Sequence, residues 1–139
     1  LESRECLIPQ IYYRKQPHNV IRGNFKTPTQ VDWAVLCSVG YESTILVYWG
    51  GSEKSVEEVL SWGSADDRFW LQGTGEGTVG FSRGIHVADA KYIEDHSHSY
   101  GGETPRVIDH EGINEGFDGK VSTIHYWFQG EWLTLQGAD

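Results

Sequence analysis

Histidines and carboxylates crowd two places in the second half of this chain. One is Asp95-His96-Ser97-His98; the other is Asp109-His110-Glu111, inside an acidic stretch that also carries Glu103, Glu115 and Asp118. Imidazole and carboxylate are the usual ligands of zinc and related ions, and calcium takes several oxygens from a flexible loop. Gly112, Gly116 and Gly119 would let such a loop wrap an ion. The candidate metal set is therefore His98, Asp109, Glu111, Glu115 and Asp118, with calcium the better match and zinc the second. The spacing fits no known motif. His96 and His98 lie two apart and point to different sides of a helix, no HExxH occurs, and the acids before Gly112 are not spaced as in an EF-hand. A packed His96, a solvated His98 and a solvated acidic turn weigh more than a bound ion.

A hydrolytic set is the second constellation. Asp109, His110 and one of Ser97, Ser99 or Ser122 could serve as orienter, base and nucleophile, or the acids and imidazoles could hold a divalent metal that activates water. Against this, adjacent residues such as Asp109 and His110 point apart. Gly80-Phe81-Ser82-Arg83-Gly84 matches G-x-S-x-G, but a nucleophile elbow joins a parallel strand to a helix in a much larger α/β sheet. A chain of 139 residues surrounded here by Gly-rich, β-type sequence does not offer that setting.

Aromatic residues form the third constellation: Trp33, Tyr48, Trp49, Trp62, Trp70, Tyr126, Trp127 and Trp132. Exposed rings stack on sugar faces or anchor protein partners. The candidate binding residues are Trp49, Trp62, Tyr126, Trp127 and Trp132. Alternation along a strand sends Tyr126 and Trp127 to opposite faces, so one of them leaves the main core unless a helix or second sheet covers it. Packing of every ring inside the fold is the plainer alternative.

The elements that must position these residues are mostly strands. Val31 to Val39 alternates, Thr44 to Trp49 has no polar face, and Gly40 lies between them, which predicts an antiparallel hairpin whose second strand is central in its sheet. Val121 to Phe128 and Glu131 to Leu135 flank Gln129-Gly130 as a second hairpin. Asn19 to Phe25, Arg68 to Gln72 and Thr78 to Ser82 read as further strands. Residues 55–60 read as one turn of helix or an edge strand. Residues 3–15 could form a short helix interrupted by Pro9. Ala88 to Tyr100 is the best helix, with Ala88, Tyr92, His96 and Tyr100 along one side and Lys91 facing Asp95 across one turn. Glu103 to Lys120 reads as a long acidic connection. The fold class is mainly β (α+β), with antiparallel sheets and one packed helix near residues 88–100, in a single domain over residues 1–139.

Composition limits the partners. The net charge of −9 opposes a phosphate backbone, so nucleic acid is a poor partner. No apolar run reaches the roughly 18 to 20 residues that span a bilayer. The chain starts at Leu1 and contains no Met, as removal of a signal peptide or trimming would leave it. Cys6 and Cys37, an even and distant pair in such a chain, point to a disulfide and an oxidising compartment.

Gly23-Asn24-Phe25 followed by Asp32-Trp33-Ala34-Val35-Leu36 resembles the hairpin of FG-GAP and VCBS-type repeats, in which G-x-F leads through an acidic turn into a D-hydrophobic strand. Such repeats build propellers and often hold calcium in the turn. Here the turn, Lys26-Thr27-Pro28-Thr29-Gln30, lacks any carboxylate, so the resemblance does not bring a calcium site with it. The whole chain is also similar in style to a group of uncharacterised secreted bacterial proteins, through Ile108-Asp109-His110, Gly112-Ile113 and Trp132-Leu133. That resemblance implies export and a compact domain, with no particular activity. The sequence thus leads to a secreted or periplasmic binding module that presents aromatic and acidic groups to a protein or glycan, with a calcium- or zinc-dependent hydrolase as the alternative.

Overall fold

The computed structural model describes residues 6–59, 64–100, 105–118 and 120–137, with residues 97–100 described as backbone alone. β1 (Val20–Gly23), β2 (Asp32–Val39), β3 (Glu42–Tyr48) and β4 (Val56–Val59) make one antiparallel sheet in the order β1-β2-β3-β4. β3, apolar from Ile45 to Tyr48, is central, and residues 56–59 are its edge neighbour. β5 (Leu71–Gly73) and β6 (Val79–Phe81) form a small ribbon. β7 (Arg83–Ala88), β8 (Gly112–Phe117), β9 (Ser122–Phe128) and β10 (Glu131–Gln136) make a second antiparallel sheet in the order β10-β9-β8-β7. Both long hairpins close on two residues with positive φ, Gly40-Tyr41 and Gln129-Gly130. This is the turn whose twist matches that of the flanking strands.

The strand period of two sorts the apolar residues into layers. Phe25, Ala34, Leu36, Ile45, Val47 and Val59 on the first sheet meet Ile85 and Ile113 on the second in one core cluster. The opposite face of the second sheet carries Ala88, Ile124, Tyr126, Leu133 and Leu135, which pack with Ile93 of α1 (Ala90–Tyr100). Asp89 caps that helix, its carboxylate accepting from Tyr92 N at 2.8 Å. The outer face of the first sheet carries Val35, Cys37, Leu46 and Tyr48, packed with Cys6 and Ile8. The N-terminal segment lies there as a strap. It is held by the Cys6–Cys37 disulfide, with Cα atoms 5.1 Å apart, and by paired backbone hydrogen bonds between Leu7 and Ser38 at 2.8 and 3.0 Å.

Polar side chains join the two sheets. Asn19, with φ 68°, uses its carboxamide as a substitute peptide. Nδ2 donates to Arg83 O at 3.1 Å, and Oδ1 accepts from Ile85 N at 3.0 Å. The Arg83 side chain is wholly buried. Its Nε donates to Glu115 Oε2 at 2.7 Å, Nη2 bonds the same oxygen, and Nη1 donates to Ser43 O and Oγ, both at 2.7 Å. The guanidinium lies 4.7 Å from the centroid of the buried Trp70 ring. His125 Nε2 donates to Glu115 Oε1 at 2.7 Å.

Four expectations change. The helix begins at Ala90, with Asp89 as its cap, because Ala88 is taken into β7. Residues 6–15 contain no helix: Leu7 bridges to Ser38 and the following residues turn, because the strap is tied at Cys6 and interrupted by Pro9. Arg68 to Gln72 is divided into a 3-10 turn, Asp67–Trp70, and the short β5; Asp66 starts the turn by accepting from Arg68 N. The acidic connection contains β8, a central strand of the second sheet. There Gly116 is required by close approach, since a Cβ would sit 2.1 Å from Val121 O.

Breaking the Cys6–Cys37 bond should lower the unfolding free energy by roughly 3 to 4 kcal/mol, the chain-entropy value for its separation of 31 residues. Urea unfolding with and without dithiothreitol measures this, and coincident curves would show that the strap is held by its other contacts alone.

Candidate binding site

The residues expected to hold a metal are distributed among separate tasks. Glu115 is buried between Arg83 and His125. Glu111 Oε1 accepts from Asn24 N at 2.8 Å, while Glu111 N donates to Asn24 O at 2.8 Å, tying the approach to β8 to the end of β1. Asp118 receives Tyr13 Oη, Arg14 Nε and Nη2, and His86 Nε2, which fastens the N-terminal segment to the second sheet. Asp109 is exposed, and the side chain of His98 lies outside the described residues. Among the described residues, no group of three or more His, Cys, Asp or Glu is placed to hold a metal ion.

The hydrolytic set is likewise spread out. His110 is buried and stacked on Tyr126, with ring centroids 4.2 Å apart. Its two nitrogens face backbone oxygens, Nδ1 at 2.8 Å from Glu111 O and Nε2 at 2.9 Å from Trp127 O. Neither nitrogen is directed at a described serine. Ser82 is buried between β6 and β7, and its Oγ donates to Trp70 O at 3.0 Å. The side chains of Ser97 and Ser99 lie outside the described residues.

The rings divide by face. Tyr126 lies under α1, and its hydroxyl accepts from Asp109 N at 3.3 Å. Trp127 points the other way, toward the first sheet, so both members of the pair are covered. Trp49, Trp127 and Trp132 form a three-ring cluster with centroids 5.2 to 5.7 Å apart. Trp49 Nε1 donates to Glu57 Oε2 at 3.0 Å, and Lys26 Nζ stands 5.2 Å from the Trp49 ring. This cluster fills the end of the interface between the sheets opposite Arg83. Trp49, Trp127 and Trp132 are therefore packing residues with half-buried rims, and Trp62 lies outside the described residues.

Among the described tryptophans, the exposed ring is that of Trp33. Arg22, Trp33, Tyr48 and Val56 form one cross-strand row on the outer face of the first sheet. Val20, Val35, Leu46 and Glu58 form the next. Among the described residues, Cys6 and Ile8 pack at the Cys37 end of these rows. What remains is a cleft of about 240 Å³ lined by Val20, Trp33, Val35, Tyr48, Gly51 and Glu53. Trp33 is 41% exposed and Val20 38%, whereas Tyr48 is buried. The Tyr48 hydroxyl is buried and has no hydrogen-bond partner among the described residues. The Arg22 guanidinium stands 6.0 Å from the Trp33 ring centroid. Asp32, buried beside Trp33 in sequence, accepts from Phe25 N and Gly50 N at 3.1 and 2.8 Å. It thereby fixes the turn that brings Gly51 against the indole. A signal for this site is present in β2, where Trp33, Val35 and Cys37 alternate with Ala34 and Leu36, all apolar. Both faces of that strand need a cover, and among the described residues Trp33 on the outer face stays 41% exposed.

The chain matches no protein-family model, no curated protein and no solved structure.

Two carboxylates tie stability to pH. Burial pushes the Glu115 carboxyl up, but the hydrogen bond from His125 and the Arg83 charge outweigh it and hold the group below its ordinary 4.5. Burial also raises Asp118, and the hydrogen bonds from Tyr13, His86 and Arg14 together hold it below 3.8. Both groups lose protons more easily folded than unfolded. Their stabilisation is thus complete above the unfolded values and fades as pH falls through the folded ones. Unfolding free energy measured by urea titration should be level above about pH 5 and decline below about pH 4.5, with a shallower decline in Asp118→Asn. An acid limb identical in that variant would remove Asp118 from the account.

Proposed function

We propose that this chain is a secreted or periplasmic binding module that presents aromatic and acidic groups to a protein or glycan partner, through the cleft over Trp33. The observation that carries this reading is the cleft on the outer sheet face, where Trp33 and Val20 are exposed among the described residues. There an exposed indole, a valine and a glutamate border a concave surface. Exposed large rings in concave settings, with a few polar groups at the rim, are the usual makings of a recognition site. The disulfide supports the oxidising compartment, and no described helix is long and apolar enough to cross a membrane. The hydrolase alternative gains nothing from the positions of Asp109, His110 and the acids.

Screening the intact, disulfide-bonded chain on a mixed glycan array and against a random-peptide phage library tests the reading. One ligand class should be enriched, and its binding should be lost in Trp33→Ala. Enrichment that persists in Trp33→Ala, or none from either source, would contradict it.

A further inference from the structure

The surroundings of His18 admit one charge state. Its Nδ1 lies 2.8 Å from Gln16 O, and a carbonyl oxygen only accepts, so Nδ1 carries the proton. Its Nε2 lies 2.7 Å from Ile11 N and accepts that backbone proton, so Nε2 holds a lone pair. The two partners together select the neutral imidazole protonated on Nδ1. An imidazolium has a proton on both nitrogens, and its Nε2–H would point at the Ile11 N–H. Ile11 is buried, and Nε2 is the one acceptor of its N–H among the described residues. Protonation of the ring therefore strands a backbone donor.

These bonds close the base of a loop. The Gln10 carboxamide spans the same gap, with Nε2 donating to His18 O at 2.9 Å and Oε1 accepting from His18 N at 3.1 Å. Between them the loop carries Tyr12, Tyr13, Arg14 and Lys15, all exposed. The chain on either side is fixed independently: Leu7 pairs with Ser38 beside the disulfide, and Val20 begins β1. The charged groups around the base have other commitments. Arg14 belongs to the Asp118 carboxylate, and no ion pair reaches His18 among the described residues. On the sheet beneath, Ile11 Cδ1, His86 Nε2 and Asp118 Oδ1 converge around Gly84, and Arg83, whose carbonyl bonds Asn19, is paired with Glu115. Protonation of His86 would strengthen its bond to Asp118, so that histidine tightens the structure in acid. His18 acts in the opposite sense.

We propose that His18 is a proton-released latch: neutral, it closes the base of the loop over residues 10–18, and protonated, it frees that base while the disulfide and β1 keep both ends attached. Histidine gains its proton between about pH 8 and pH 5. The open form takes up a proton that the closed form has no place for, so closure is present at the upper end of this range and lost as pH falls through it. Glu115 and Asp118, held below 4.5 and 3.8, stay ionised there, so the change belongs to the loop and not to their acid limb. What acid alters is the freedom of a tethered segment bearing two tyrosines and two cations.

The test is NMR of the whole chain, labelled with nitrogen-15 and with its disulfide intact, from about pH 7.5 to about pH 5. At the upper pH His18 should show the Nδ1–H tautomer, and a coupling through the hydrogen bond should join Ile11 N to His18 Nε2. As the ring titrates, that coupling should vanish. Exchange protection of the Ile11 amide, corrected for intrinsic exchange, should fall about tenfold, as for one stranded donor. The Leu7 and Ser38 amides should keep theirs. In His18→Gln, whose side-chain oxygen accepts at any pH, protection of Ile11 should vary less than about twofold over the same range, and His86→Gln should retain the wild-type fall. An Nε2–H tautomer at the upper pH, or level Ile11 protection while His18 titrates, would overturn the latch. So would a fall of the same size in His18→Gln. Should that variant leave Ile11 unprotected at every pH, the wild-type tautomer and coupling decide the question by themselves.

Discussion

Arg83 has no route to water. Its guanidinium sits between the two sheets, so its charge must be answered within the fold, and the answer comes from both sides: Glu115 from the neighbouring strand of its own sheet and Ser43 from the facing one. A buried charge left unpaired costs several kcal/mol, which makes this contact a constraint on register. A one-residue slip of β7, β8 or β3 would turn Arg83, Glu115 or Ser43 to the wrong face. Asn19 reinforces the same join by carrying the hydrogen-bond pattern from Arg83 and Ile85 of β7 to the start of β1. The sandwich is closed by charge and amide at the Arg83 end and by the Trp49, Trp127 and Trp132 rings at the other.

Once the two sheets are fixed face to face, each has one further apolar face to cover, and the chain covers them unequally. α1 seals the outer face of the second sheet with Ile93 at the centre of contact. Among the described residues, the outer face of the first sheet is met by the strap, an extended segment anchored through Cys6, Leu7 and Ile8. A single extended segment shields less area than a helix. The uncovered remainder, centred on Trp33, is where the fold leaves apolar surface open to a partner.

Much of this was legible from residue order. The two hairpins, the helix and the Cys6–Cys37 pairing follow from alternation, turn residues and cysteine arithmetic, because in those segments local preference and tertiary packing agree; residues 55–60, open between a turn of helix and an edge strand, are decided for the strand by pairing with β3. β7 and β8 escaped for the opposite reason. Their buried faces carry Arg83 and Glu115, residues that belong outside by every compositional rule, and Gly112 and Gly116 stand in β8 where close approach to β9 forbids a side chain. The candidate chemistry misled for the same cause: Glu115 looked like a free ligand because its partners, Arg83 and His125, are 32 and 10 residues away. Trp33 was visible as an aromatic residue, but its exposure depends on the tertiary packing of the outer sheet face, which no local pattern encodes.

A double-mutant cycle on Arg83 and Glu115 tests the central claim most directly, with unfolding free energies measured for Arg83→Met, Glu115→Leu and the pair. If the buried contact fixes how the sheets meet, each single variant loses about 3–5 kcal/mol because it strands the other charge, and the double variant loses far less than the sum of the two. Single losses below about 1 kcal/mol that simply add, as for an exposed ion pair, would contradict the account.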